Sequence, residues 1–318
     1  MQFGYFLSCE EYSPAELVDQ AVRAEAAGFD ALSISDHFHP WNDEQGQSPF
    51  VWSVIGAIAQ ACSLPVLTAV TCPTVRVHPV VIAQAAATSA VMLDGRFVLG
   101  VGSGEALNEH VTGSVWPHAE VRLEMLEEAV GIIRALFTGE QVSHRGRHYT
   151  VDTARLYTVP STPPPIYVSA FGPKALELAA RIGDGWVTTS PDQEGADTFR
   201  SLHAGAPAVA ALKVAYAPTR DEGVDHAHRL WSNAGVPGEL AQVLPTPAHF
   251  EQASSLVTRE ATSGSVAAGS SLDEHLEAFE PYLHVGFDTL YVANMGPHYR
   301  DMIEFYGREV LPALRDAS

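Results

Sequence analysis

Apolar and polar positions alternate along the first third of the chain in blocks of two kinds. A short run of consecutive apolar residues, Phe3-Gly4-Tyr5-Phe6-Leu7, gives way to a segment whose apolar residues Leu17, Val18, Ala21 and Ala24 recur at helical spacing. The first kind reads as a buried strand and the second as an amphipathic helix. The helix has marked ends. Ser13 is a good N-cap, Pro14 suits the first helical position, Glu16 places negative charge in the first turn, and Gly28 stops it. The pattern then repeats: strand Ala31–Ile34, helix Phe50–Ala61, strand Pro65–Thr71, helix Pro79–Met92, strand Phe97–Val101 and helix Glu120–Phe137.

The second half keeps the pattern less cleanly. Val142–Pro164 reads as hairpin-like material, followed by strand Pro165–Ala170, helix Pro173–Arg181, strand Trp186–Thr189 and strand Leu212–Tyr216. From Thr219 to Ser270 no clear period emerges, and short helices and loops are expected. Helix Leu272–Val285, strand Thr289–Ala293 and helix Tyr299–Leu314 close the chain. Strands that alternate with helices imply right-handed βαβ units and a parallel sheet. Eight such strands favour an α/β fold of the (β/α)8 TIM-barrel type over an open doubly wound sheet. The expectation is a single barrel domain over 1–318, with insertions at about 140–164 and 219–270.

Composition narrows the function. A formal net charge of −20, from 38 acidic and 18 basic residues, disfavours nucleic acid and anionic membrane surfaces as partners. No apolar stretch is long enough to span a bilayer. The amino-terminal residues lack the basic and apolar regions of a signal peptide, and Cys9, Cys62 and Cys72 have no metal-ligand spacing. A cytoplasmic protein acting on a small molecule is the expectation. Lysine occurs only at 174 and 213.

In a parallel barrel, ligands bind where the carboxyl ends of the strands meet. Ser35-Asp36-His37-Phe38-His39-Pro40-Trp41 leaves strand two at that rim, and Gly102-Ser103-Gly104-Glu105 leaves strand four there. An imidazole suits proton abstraction from an alcohol near neutral pH, so His37 and Glu105 form a candidate titratable pair. Trp41 can stack on a ring or stabilise charge through its π face. Glu10, after strand one, adds a carboxylate at the same rim. Gly104 permits close backbone approach to a ligand. The turn Ala170-Phe171-Gly172 precedes a helix start at Pro173 that can receive phosphate, with the Thr189 hydroxyl nearby. No metal site is expected: His110, His118, His144 and His148 fall in polar segments, and the His226-Ala-His228 pair reads as a solvated loop.

Taken together, the Asp-His-x-x-Pro-Trp run (Asp36–Trp41), Tyr12-Ser13-Pro14, Pro79–Ala83 with Gln84-Ala85, and Gly100–Glu109 resemble the luciferase-like flavin/deazaflavin superfamily. Among its members the coenzyme F420-dependent glucose-6-phosphate dehydrogenases look most similar, over almost the full chain. The resemblance implies F420 at the mouth of the barrel, with FMN as the alternative cofactor. It implies that His37 takes a hydroxyl proton as hydride leaves the substrate carbon for C5 of F420, and that Glu105 supplies a proton to the deazaflavin or that Trp41 and Glu105 stabilise the intermediate. Glu10 matches a glutamate near the substrate, while Asp36, Asn108, Ala69 and Val70 match positions touching the cofactor. Ala170, Phe171, Gly172 and Thr189 match the phosphate-side loop, and a homodimer is implied. The cations that bind a sugar 6-phosphate in that family fall here at Asp192 and near Gln252, with Arg259 as a partial substitute, so glucose 6-phosphate is not the expected substrate. The same residues also suit an F420H2-dependent reductase of a C=C or C=N bond, or an FMN-dependent monooxygenase.

Overall fold

The computed structural model describes residues 1–317. The strands are β1 (Gln2–Leu7), β2 (Ala31–Ile34), β3 (Val66–Thr68), β4 (Phe97–Val101), the hairpin pair β5 (Val142–Arg145) and β6 (Thr150–Ala154), β7 (Ile166–Ser169), β8 (Gly185–Thr188), β9 (Ala208–Ala215), the two-residue β10 (Ala267–Ala268) and β11 (Thr289–Asn294). Eight of them run parallel in the order β9-β11-β1-β2-β3-β4-β7-β8, and β8 pairs back onto β9 to close the barrel. β8 lies along the first half of β9 (Ala208–Ala210) and β10 along its last two residues.

Successive strand residues point to opposite faces, and the two faces pack separately. Ala31, Leu67, Val187, Val209 and Tyr291 fill the barrel interior. Tyr5, Leu32, Ile34, Leu99 and Val168 pack outward against the helices. Gly4 is required inside: a Cβ there would lie 2.3 Å from the Tyr291 ring. The outer layer comprises α1 (Pro14–Ala27), α2 (Val51–Ala61), α3 (Pro79–Met92), the short α4 (Ala106–Glu109), α5 (Ala119–Phe137), α6 (Pro173–Ile182), α7 (Gln193–Leu202) and α8 (Arg220–Trp231). Then follow α9 (Leu240–Val243), α10 (Pro247–Ser254), α11 (Arg259–Ser263), α12 (Leu272–Val285), α13 (Tyr299–Phe305) and α14 (Leu311–Ala317). Ser13 and Glu16 form a reciprocal capping box on α1, and Gly28 ends it in the left-handed region at φ 89°. Among the described residues no helix is long and apolar enough to cross a membrane.

Several elements differ from the sequence expectation. β3 holds three residues rather than Pro65–Thr71; beyond it only an isolated bridge between Thr71 and Val101 continues the pairing, and the Ala69–Val70 peptide is cis. β9 begins at Ala208 rather than Leu212; its Ala-Val-Ala-Ala start has weak strand propensity and is held by pairing with β8 and β11. The sequence reading lacked α7, whose buried side consists of Gly195, Ala196 and Phe199 alone. In the aperiodic region α8 is a full helix of 12 residues that buries Val224, Ala227, Leu230 and Trp231.

The fold also buries charge beneath the mouth of the barrel. Arg76 sits between Asp36 (2.8 Å) and Glu109 (3.4 Å), all three almost inaccessible. Burial pushes the Glu109 carboxyl up to about 7 against the opposing pull of Arg76. Burial likewise raises Glu11 to about 7, opposed by hydrogen bonds from Trp231 and the Gly296 backbone.

Two outcomes are expected. A carboxyl raised in the folded state stabilises it most below the unfolded pKa, and that contribution disappears as pH rises through the folded value. Thermal stability therefore falls between about pH 4.5 and 7 in part through these groups, by an amount on the order of a few kcal/mol. Glu109→Gln should flatten the melting-temperature profile over that window; an unchanged slope would contradict the assignment. Separately, a Cβ on Gly100 would lie 1.8 Å from the Thr68 carbonyl oxygen, where β3 and β4 pass each other. Gly100→Ala should cost at least about 2 kcal/mol, seen as a loss of several degrees in Tm, and a variant melting with the wild type would show that the strands can separate there.

Candidate active site

The strand ends converge on a cavity of about 2080 Å³ at the carboxyl face of the barrel. Pockets for drug-sized ligands span roughly 300–1,000 Å³, so this one has room for a large cofactor together with a substrate. His37, three residues past β2, lies at its floor. Its Nε2 is 3.4 Å from Glu10 Oε1 and 4.0 Å from Glu105 Oε1. Glu10 is itself held by the Ser35 hydroxyl at 2.6 Å. Glu105 is the more accessible carboxylate, with a quarter of its side chain exposed against 4% for Glu10. Trp41 stands edge-on to the imidazole at 5.0 Å and is backed by Phe250 at 5.0 Å.

The buried amide of Asn108 sets this geometry. Its Oδ1 accepts the backbone N–H groups of Phe38 (2.7 Å) and His39 (2.9 Å), which fixes Nδ2 as the donor end. Nδ2 then reaches both Glu105 and His37 Nδ1, the latter at 3.0 Å. The His39 carbonyl is 3.2 Å from the same Nδ1. Two tautomers are therefore accommodated. With Nδ1–H donating to the His39 carbonyl, Nε2 carries a free lone pair; with Nδ1 accepting from Asn108, Nε2 carries the proton. The imidazole can take up or release a proton toward the cavity without moving.

The expected residues separate into two groups. Glu10, His37, Trp41, Ala69, Val70, Gly104, Glu105, Ala170, Phe171, Gly172 and Thr189 all line the cavity. Asp36 and Asn108 do not; both are buried behind it, Asp36 holding Arg76 and the Thr71 hydroxyl at 2.8 Å each. Ala69, Val70 and Gly102 form a flat apolar strip, and a Cβ at 102 would press to 2.7 Å from Val70. At the far end α6 begins at Gly172 without a side-chain cap, and its first turn faces the cavity. Uncapped N–H groups at such a terminus receive phosphate. A flat strip, a proton-transfer cluster and a phosphate-ready helix terminus fit a phosphate-bearing deazaflavin.

Sequence reading missed three contributors. Lys213 lines the cavity from β9, with Nζ 3.2 Å from the centre of the Trp231 ring. Burial lowers it to about 8, against the raising influence of Glu10 and Glu11. A lone lysine within Ala-Ala-Leu-Lys-Val-Ala was the available signal. Trp231, at the end of α8, lies in the region without clear period, and nothing in the sequence marks Arg76. The remaining cavity cations are engaged: Arg122 with Gln242 (2.6 Å) and the Pro117 carbonyl (2.8 Å), Lys174 with Glu120 (2.7 Å). Asp192 caps α7 by accepting the Gly195 N–H, and Arg259 is tied to Asp225 and Asp221 on the surface. Gln252 is an exposed residue of α10. None of these three lines the cavity.

Comparisons with known proteins show the family. The model of the luciferase-like monooxygenase family matches residues 1–308. The F420-dependent glucose-6-phosphate dehydrogenase of Microbacterium testaceum (strain StLB037) is 35% identical over 329 residues, spanning 99% of this chain and 98% of the relative. That of Mycobacterium tuberculosis (strain CDC 1551 / Oshkosh) is 33% identical, with the same shares covered. A solved F420-dependent secondary alcohol dehydrogenase, in complex with an F420-acetone adduct, has a TM-score of 0.88 at 31% identity over 99% of each chain. The coenzyme F420-dependent tetrahydromethanopterin reductase from Methanopyrus kandleri shares the fold, with a TM-score of 0.78 at 19% identity over 98% of this chain and 99% of its own. With matches running the length of the molecule in both sequence and structure, the chain belongs to the luciferase-like monooxygenase family, among its F420-dependent dehydrogenases and reductases.

Proposed function

We propose that the protein is an F420-dependent oxidoreductase that moves a hydride between C5 of the deazaflavin and an alcohol or hemiacetal carbon, and that glucose 6-phosphate is not its substrate. The observation that carries this reading is His37 Nε2, set between Glu10 and Glu105 and open to the cavity. When bound, F420 supplies the two-electron hydride acceptor. The Ala69–Val70–Gly102 strip is the wall for its ring system, and the first turn of α6 is the site for its phosphate.

The chain's own groups then divide the proton work. His37 Nε2 removes the hydroxyl proton, and Glu10 Oε1 stabilises the imidazolium that results. Glu105, the more exposed carboxylate, exchanges the proton required at the ring. Because the His39 carbonyl accepts Nδ1–H in both the imidazole and the imidazolium, the imidazolium can return its Nε2 proton and the same groups run the reaction in reverse, which keeps reduction by F420H2 within this reading. The substrate end is walled by Trp41, Trp231, Val257, Val266 and Met295, with Lys213 as its buried cation. A phosphate dianion needs paired, desolvated cations, whereas Asp192 and Gln252 are not cations, and neither they nor Arg259 line the cavity. The relative named a secondary alcohol dehydrogenase supports a small alcohol of low polarity instead.

Titrating the purified protein with F420 and with FMN, followed by fluorescence, should give saturable F420 binding; tight binding of FMN alone would overturn the cofactor. His37→Ala should lower kcat about 10²- to 10⁴-fold while leaving the F420 dissociation constant essentially unchanged. Across a panel of alcohols and sugars, secondary alcohols should give a higher kcat/KM than glucose 6-phosphate, and the opposite ranking would defeat the substrate assignment.

A further inference from the structure

Outside the cavity, three side chains from two distant parts of the chain meet at one point. Glu222 and His226 stand four residues apart on α8, which places both on one face of the helix. His298 comes from the turn between β11 and α13. Their ligand atoms, one from each residue, all lie within 4.8 Å of one another. Glu222 Oε1 is 2.9 Å from His298 Nε2 and 3.7 Å from His226 Nε2, and the imidazole centroids are 5.6 Å apart. The sequence reading had placed His226 in a solvated loop, but the helix turns it inward.

A network of ordinary ion pairs leaves one feature unexplained. Among the described residues, His226 Nε2 is buried and has no hydrogen-bond partner. An unpartnered buried polar atom is costly, and here it points into a cluster that already holds a second imidazole and a carboxylate. Two further details favour a ligand there. A Cβ on Gly296 would lie 2.9 Å from His226 Cβ, so glycine at 296 is what lets the imidazole pack against this turn. Asp301 Oδ2 lies 3.6 Å from His298 Nδ1, on the side away from the cluster. A carboxylate placed behind a histidine orients the ring and leaves the other nitrogen free to coordinate. The nearby Arg229 guanidinium, 3.4 Å from His226 Nδ1, is paired with Glu44 at 2.7 Å; coordination through Nε2 puts the imidazole proton on Nδ1 and leaves the guanidinium to Glu44.

We propose that Glu222, His226 and His298 bind a divalent cation of the zinc class. Two imidazole nitrogens and one carboxylate suit Zn²⁺, Co²⁺ or Ni²⁺, while Mg²⁺ and Ca²⁺ prefer all-oxygen ligand sets. Three protein ligands leave a fourth position for water. None of the three lines the catalytic cavity, so the ion's role is structural: it clamps α8 to the turn after β11. That turn is bound to the floor of the active site. The Gly296 N–H donates to Glu11 Oε1 at 2.6 Å, the Gly296 carbonyl accepts from the Tyr12 hydroxyl at 2.7 Å, and Glu11 also accepts from Trp231 at the end of α8. The ion therefore closes a loop of contacts that fixes Trp231 against the substrate end of the cavity.

The test uses purified full-length protein stripped with a chelator, then titrated with Co²⁺ followed by visible absorption and with Zn²⁺ followed by calorimetry and melting temperature. One equivalent per chain is expected, with cobalt ligand-field bands and a Tm raised by a few degrees on adding Zn²⁺. Glu222→Gln and His298→Ala should each weaken binding at least tenfold and abolish the Tm shift. Both variants should still bind F420 as the wild type does, which also establishes that they are folded. Binding that persists unchanged in both variants would place the ion on others of the fourteen histidines and overturn the proposal, as would the absence of any bound equivalent in the wild type.

Discussion

The side-chain amide of Asn108 holds two strand exits in a single arrangement. Its oxygen accepts two backbone N–H groups from the segment after β2, and its nitrogen reaches the imidazole from that segment and the carboxylate from the segment after β4. The two backbone donors settle which end of the amide points where. Once that orientation is set, His37 Nδ1 has both a donor and an acceptor within reach, and its tautomer can change without rearrangement. The acid–base character of the site thus depends on a residue that does not line the cavity.

Beneath this cluster the protein buries more charge than the chemistry requires. Arg76 pairs with Asp36 and Glu109 and ties the exit of β3 to those of β2 and β4. On the opposite side Glu11, Trp231 and Lys213 form a second buried set, in which the lysine lies over the indole and the indole N–H is held by the carboxylate. Removing these charges from water is costly. In return, hydrogen bonds connect loops that follow four different strands, so the cavity is bounded by mutually braced turns. The Glu222–His226–His298 cluster is joined to the same bracing through Gly296.

The substrate end combines this bracing with an unusual scarcity of cations. In an acidic chain with two lysines, one lysine is on the surface with Glu120 and the other is buried against an indole. Asp192 is occupied as a helix cap, accepting the Gly195 N–H. Trp231, Val266 and Met295 give this end of the cavity an apolar wall.

The barrel can be read from the order of residues, because helix caps, glycine stops and continuous apolar strands are local properties written in neighbouring residues. Ser13 with Glu16, Gly28 and the Phe97–Val101 run each announce their element without reference to the rest of the molecule. The two rim motifs were legible for the same reason, since strand exits in a parallel barrel share one face. The roles of Asp36 and Asn108 emerge from the folded molecule alone: they look like ligands in a motif but face inward to hold Arg76 and His37. Folding alone brought Lys213, Trp231 and Glu11 together, and it alone turned His226 toward His298. The Asn108–His37 and Trp231–Glu11 contacts join residues 71 and 220 positions apart. Their partners are chosen by how the barrel closes, which no local pattern of residues records.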